Sequence, residues 1–143
     1  MAKLIDNLLD LNQIQKQWGT EVKRCFFIYD VTSDSKRGKH RHKKSRMALS
    51  CLNGTVRVYV QNRRTDAHYL LSRPEQCLLV EPEEWRIMYD FSPGAILLVY
   101  CSTPFDASDY IDKPYFQAPS LDKGFLKKVF GSRLWPNAVR LRL

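Results

Sequence analysis

"RGKHRHKKSRMALSCLNGTVRVYV", residues 37–60, joins a Gly-x-His-x-His run to two strand-like stretches divided by Asn53-Gly54. Successive side chains of an extended chain point to opposite sides, so His40 and His42, two apart, project together. In "VRVYV" (56–60) apolar and polar-tipped residues alternate, as a strand with two unlike faces requires. Asn-Gly accepts the positive φ angles of a tight turn, so this stretch reads as a β-hairpin.

The same pattern extends on both sides. Residues 24–31, 67–72, 77–82, 85–91 and 95–102 are short, rich in β-branched or aromatic residues, and bounded by turn chemistry such as Arg73-Pro74 and Pro93-Gly94. Together with the two central stretches they predict an all-β fold, an antiparallel sandwich or barrel. Residues 4–18 fit either a helix, through Leu4, Leu8 and Leu11, or an edge strand. Residues 117–143 read as a basic C-terminal extension with a short amphipathic helix around Phe125 to Phe130.

A chain of 143 residues is one domain with room for a single core, and 44% hydrophobic content excludes a disordered chain. Its net charge of +8 points to an anionic partner: nucleic acid, a membrane surface or a phosphorylated small molecule. No apolar run reaches the roughly 18 residues of a membrane span, and the N-terminus lacks a signal-peptide pattern. A cytoplasmic protein with no membrane partner is therefore expected. Cys25, Cys51, Cys77 and Cys101 are widely spaced and sit in or beside strand-like runs, as buried free thiols of a reducing compartment do.

Three roles compete for His40 and His42: metal ligands, a catalytic couple, or part of a phosphate-gripping patch. Metal needs a third and usually a fourth ligand, but His68 sits in another strand and no carboxylate follows His42 closely. No metal is expected. The catalytic and phosphate-binding readings stay open beside that of a solvated loop.

"KRCFFIYDV" (23–31), the 37–60 stretch and "LLVEPEEWRIMYDFSPGAILLVYCSTPFDASDYIDKPY" (78–115) together resemble the WxcM-like cupins, the nucleotide-linked sugar 3,4-ketoisomerases. The resemblance covers about residues 8–116. It implies a cupin, a small jelly-roll β-barrel, over residues 1–116, usually a homodimer, acting on a dTDP-linked 4-keto-6-deoxyhexose without metal or other cofactor. The family's aromatic hydroxyl is Phe26 here, and its glutamate and glutamine after the histidines are Arg46 and Met47. Arg86 replaces a histidine, Phe105 a tyrosine, and Trp18-Gly19 an Arg-Gly with a deletion behind it.

Moving a carbonyl from C4 to C3 takes a base for the C3 proton and donors for the enediolate oxygen. The resemblance makes His40 the base and His42 its partner. Arg24 and Arg37 are expected at the diphosphate, since guanidinium groups bind phosphate oxygens in pairs. Trp85 is expected either to stack on the sugar or base or to be a core tryptophan, Arg86 to face the oxyanion, and Phe26 and Met47 to line the substrate pocket. The changes at Phe26, Met47 and Arg86 favour an alternative, a non-catalytic cupin that binds a nucleotide sugar or regulates a partner enzyme. A nucleic-acid-binding barrel, motivated by charge and by Tyr59, Tyr69 and Trp85, has no recognised motif behind it, so no nucleic-acid partner is expected.

Overall fold

The computed structural model describes residues 1–7, 10–122 and 138–141, the last as backbone alone. Its strands in chain order are β1 (Lys3–Ile5), β2 (Arg24–Ile28), β3 (Arg37–His42), β4 (Met47–Asn53), β5 (Val56–Gln61) and β6 (Thr65–Leu71). They continue with β7 (Cys77–Val80), β8 (Trp85–Tyr89), β9 (Ile96–Cys101), β10 (Tyr110–Ile111) and β11 (Ala138–Leu141). One α-helix, α1 (Leu11–Trp18), and a 3-10 turn (Ala107–Asp109) complete the described elements. The strands form two antiparallel sheets, ordered β1-β7-β4-β9-β2 and β10-β3-β8-β5-β6-β11. This is the all-β cupin architecture expected from the sequence.

Strand alternation builds the core between the sheets. Met47, Leu49 and Cys51 on β4 and Leu97 and Val99 on β9 face Val56, Val58 and Val60 on β5. All are buried, and each fully buried Val or Leu side chain contributes about 1.5–3 kcal/mol. The outward residues of each sheet need their own cover. Ile14 and Trp18, four apart on α1, bury against Ala48, Cys77 and Leu79, while Ala118 and Leu121 close over Tyr59, Trp85 and Tyr89.

The N-terminal ambiguity resolves into both elements, because β1 pairs with β7 before α1 begins. Asp10 caps α1 by accepting from the Asn12 amide at 2.9 Å, and Gly19 ends it at φ 69° with its N–H donated to the Gln15 carbonyl. The buried stripe is thus Ile14 and Trp18, and Leu11 is exposed.

The hairpin reading of 47–61 is corrected. β4 and β5 belong to different sheets, so Asn53-Gly54 is a corner between them. Gly54 does take a positive φ of 71°, but Asn53 does not, and a type I′ turn needs both. The Asn53 side chain instead donates to the Gly94 carbonyl at 2.8 Å, and the Thr55 amide donates to Ser92 Oγ at 2.7 Å. An Asn-Gly pair marks a sharp turn without saying which strands pair across it. β5 pairs with β6.

Cys51, Cys77 and Cys101 are buried as expected, whereas Cys25 is exposed on the outward side of β2. In the C-terminal extension β11 adds a strand to β6, and the helix expected around Phe125 to Phe130 lies outside the described residues.

Candidate active site

The two sheets enclose a cavity of about 350 Å³ whose wall includes Phe26, Arg37, His40, Met47 and Arg86. Five of the eight residues singled out in the sequence therefore meet at one place. The period of two explains it: Phe26 on β2, Met47 on β4 and Arg86 on β8 all occupy inward positions.

A bulge aims the histidines. β3 follows β8 as far as Gly38 opposite Ile87, then skips Lys39 before His40 meets Arg86. Gly38 and Lys39 both take positive φ, 89° and 60°. A Cβ on Gly38 would lie 2.9 Å from the Arg86 carbonyl oxygen. Gly38→Ala should therefore destabilise the fold by about 1–3 kcal/mol, read as a lower urea midpoint. A midpoint equal to the wild type's would show that the bulge is not under this constraint.

The two imidazoles have different surroundings. His40 is half-buried on the cavity wall, and its Nδ1 lies 3.0 Å from the Gly38 carbonyl, which can only accept. Nδ1 thus carries the proton and Nε2 the lone pair. His42 is 1% exposed and sits behind the wall, its ring 5.0 Å from that of His40 and at 88° to it. Its Nδ1 donates to Asp109 Oδ2 at 2.9 Å, and its buried Nε2 has no hydrogen-bond partner among the described residues.

Asp109 is itself fixed by other donors: Ser45 Oγ at 2.6 Å and the Lys44 amide at 2.7 Å, with Thr103 bonded to Ser45 behind it. Burial opposes its charge, but these donors and His42 outweigh it and hold the carboxyl below its ordinary range.

Arg86 dominates the electrostatics. Its guanidinium is 1% exposed, donates to the Glu84 carbonyl at 3.2 Å and rests against Met47 Sδ. Among the described residues no carboxylate comes within ion-pairing distance of it. Burial pulls it down to about 10. Burial, and then the Arg86 charge, lower His40 as well and push His42 from 6.5 to about 4, so both rings are neutral at pH 7.

That shift has a consequence for stability. The unfolded chain takes up the His42 proton near pH 6.5 and the folded chain only near pH 4. The stabilising contribution is complete above about 6.5 and is lost as pH falls towards 4. The melting temperature should drop across this window in the wild type and drop less in His42→Asn. Parallel curves would contradict it.

Two expectations are corrected by placement. Trp85 points to the outer face of β8, where it is buried beside Tyr59 and donates to the Asp112 carbonyl at 2.8 Å. It neighbours Arg86 in sequence and so faces the opposite way. Arg24 lies outside the cavity wall, bracketed 5.4 Å from the rings of both Phe26 and Phe105, with Nη2 3.4 Å from Cys101 Sγ. Arg37, by contrast, is exposed and on the cavity wall. His68 lies on the outer face of β6, its Nδ1 2.9 Å from the Tyr89 hydroxyl, far from the pair. Among the described residues no group of three or more His, Cys, Asp or Glu side chains converges to hold a metal.

Two site residues escaped sequence reasoning. Asp109 and Tyr110 arrive from the 3-10 turn and β10, where Tyr110 pairs across β3 with His42, and "DASDYI" carries no local sign of that pairing.

Two packed antiparallel sheets around a cavity walled by His40 and a buried arginine, with His42 just behind, define a cupin with an enzyme-like pocket. Residues 1–118 match the family described as FdtA: WxcM-like, C-terminal, and the chain belongs to that family. It is 35% identical over 111 residues to the TDP-4-oxo-6-deoxy-alpha-D-glucose-3,4-oxoisomerase of Aneurinibacillus thermoaerophilus, covering 76% of this chain and 80% of that one. Among solved structures it resembles QdtA, a sugar 3,4-ketoisomerase of Thermoanaerobacterium thermosaccharolyticum in complex with TDP. That match has a TM-score of 0.70 and 31% identity over 78% of this chain and 88% of the other. The TDP-fucose-3,4-ketoisomerase WlaRA of Campylobacter jejuni matches with a TM-score of 0.65 and 34% identity over 66% and 70% of the two chains.

Proposed function

We propose that this protein isomerises a dTDP-linked 4-keto-6-deoxyhexose to its 3-keto form, feeding deoxy(amino)sugar and surface-polysaccharide synthesis in the cytoplasm. The observation that carries the reading is the neutral His40 imidazole on the cavity wall beside the buried Arg86 guanidinium, which lacks a carboxylate partner among the described residues. Membership of the ketoisomerase-bearing family supports it.

In the proposed reaction His40 takes the C3 proton on Nε2, and the charge that develops on the C4 oxygen is met by Arg86. Arg86 stays protonated and so cannot itself be a base. His42, held by Asp109 with Nε2 unprotonated, accepts or relays a proton behind His40 and helps return one to C4. Phe26 and Met47 supply apolar wall, and Arg37 meets the diphosphate at the rim. No metal or other cofactor enters this scheme, and nucleic acid is not a partner in it. A homodimer is part of the proposal, supported by the exposed Phe27 and Tyr29 on and beside the edge strand β2.

NMR of the purified protein with dTDP-4-keto-6-deoxyglucose tests this by appearance of the 3-keto isomer. In calorimetry dTDP should bind at least about tenfold tighter than thymidine, since one charge-assisted phosphate contact contributes about 1.5–3 kcal/mol. No isomer, with equal affinity for the two or tight single-stranded DNA binding that weakens steeply with salt, would contradict the proposal.

A further inference from the structure

The histidines account for the protons on carbon and leave those on oxygen unassigned. Converting a 4-keto, 3-hydroxy sugar to its 3-keto, 4-hydroxy isomer must also add a proton to O4 and remove one from O3. Arginine can donate a hydrogen bond to either oxygen but cannot give up or take a proton.

Tyr110 lines the same cavity. Its ring centre is 4.6 Å from that of His40 and 4.4 Å from that of His42, so it stands on both imidazoles. Its position is set by the backbone, because β10 pairs Tyr110 with His42 across β3. The Arg24 guanidinium lies 5.4 Å from the rings of Phe26 and Phe105, and the Phe105 ring in turn lies 5.8 Å from that of Tyr110. Burial opposes the Arg24 charge, yet Cys101 and Tyr110 hold its pKa above the ordinary value. Arg86 senses the Tyr110 hydroxyl from within the pocket. Arg24 and Arg86 thus both act electrostatically at this phenol. The family hydroxyl missing at Phe26 leaves Tyr110 and the rim residue Tyr29 as the tyrosines on this wall.

We propose that Tyr110 is the catalytic acid–base for the sugar oxygens, a role that rests on the ketoisomerase reading. As the C3–H bond breaks towards His40 Nε2, the Tyr110 O–H bond breaks and an O4–H bond forms, giving the enediol. In the second half the O3–H proton returns to the phenolate, the C3=O bond forms, and the histidine proton is delivered to C4. Tyr110 ends as it began, and no oxidant or cofactor is consumed.

The test uses the full chain with dTDP-4-keto-6-deoxyglucose. Tyr110→Phe should lower the isomerisation rate by about 10²-fold or more and leave dTDP affinity nearly unchanged. Placing 3,5-difluorotyrosine at position 110 should restore turnover and move the alkaline limb of the pH–rate profile to lower pH, because a more acidic phenol loses its donatable proton earlier. A Tyr110→Phe protein that turns over at the wild-type rate, or an alkaline limb that ignores the acidity of the phenol, would overturn this role while leaving the ketoisomerase intact. A wild type that isomerises no such sugar would overturn both.

Discussion

His40→Asn is expected to lower the isomerisation rate by about 10²–10⁴-fold, the usual contribution of a general base, while dTDP affinity stays close to the wild type's. Asparagine preserves size and can still donate to the Gly38 carbonyl, but it has no lone pair of suitable basicity where Nε2 stood. The neighbouring His42 does not substitute for it, because His42 sits behind the cavity wall with its Nδ1 committed to Asp109. His42→Asn should therefore be milder for proton abstraction and more damaging for the return step. Turnover is followed by NMR and affinity by calorimetry. An active His40→Asn protein would move the base elsewhere in the cavity.

Arg86→Met is expected to pull activity and stability in opposite directions. The guanidinium is fully buried without a carboxylate partner among the described residues, an arrangement that costs stability when the pocket is empty. Methionine has similar length, no charge, and would rest against Met47. Its melting temperature should rise. The isomerisation rate should fall by about 10²–10³-fold, as when a preorganised oxyanion donor is removed. After burial, Arg86 is the largest influence lowering His40 and His42, so its loss should raise both pKa values and move the acid limb of the pH–rate profile to higher pH. A variant that is less stable, or equally active, would show that Arg86 is a structural cation with partners that compensate its burial.

Much of this architecture was legible because strands announce themselves locally. The inward positions of Phe26, Met47 and Arg86 follow from alternation, and the family resemblance told which face was inward. His40 faces inward only because the bulge skips Lys39. The errors came where meaning depends on partners distant in sequence. Asn53-Gly54 looked like a hairpin because turn chemistry is local, whereas the choice of sheet is made by β9 and β7 on one side and by β8 and β6 on the other. Trp85 looked like a substrate platform because it adjoins Arg86, and adjacency in a strand means opposite faces. Arg24 looked free because its bracket, Phe26 and Phe105, closes only when β2 meets the loop after β9. Asp109 stayed invisible for the same reason: its tie to His42 spans 67 residues and depends on the short pairing of β10 with β3.

The departures from the family pattern gain physical content in this setting. Arg46, where the resembled family has glutamate, turns outward to the Trp18 carbonyl at 2.7 Å and to Glu81 at 3.0 Å. It ties the end of α1 to the barrel and takes no part in the cavity. Met47 gives Arg86 a soft, uncharged neighbour, which leaves the guanidinium's charge available to a ligand.

The central claim is that this cavity removes the proton from C3 of a dTDP-linked 4-keto sugar. It is tested most directly by incubating the wild type with dTDP-4-keto-6-deoxyglucose in deuterated water and recovering the substrate for NMR. Deuterium should appear at C3 in proportion to enzyme concentration and be absent with His40→Asn. Recovered substrate without deuterium and without any product, or equal labelling by His40→Asn, would contradict it.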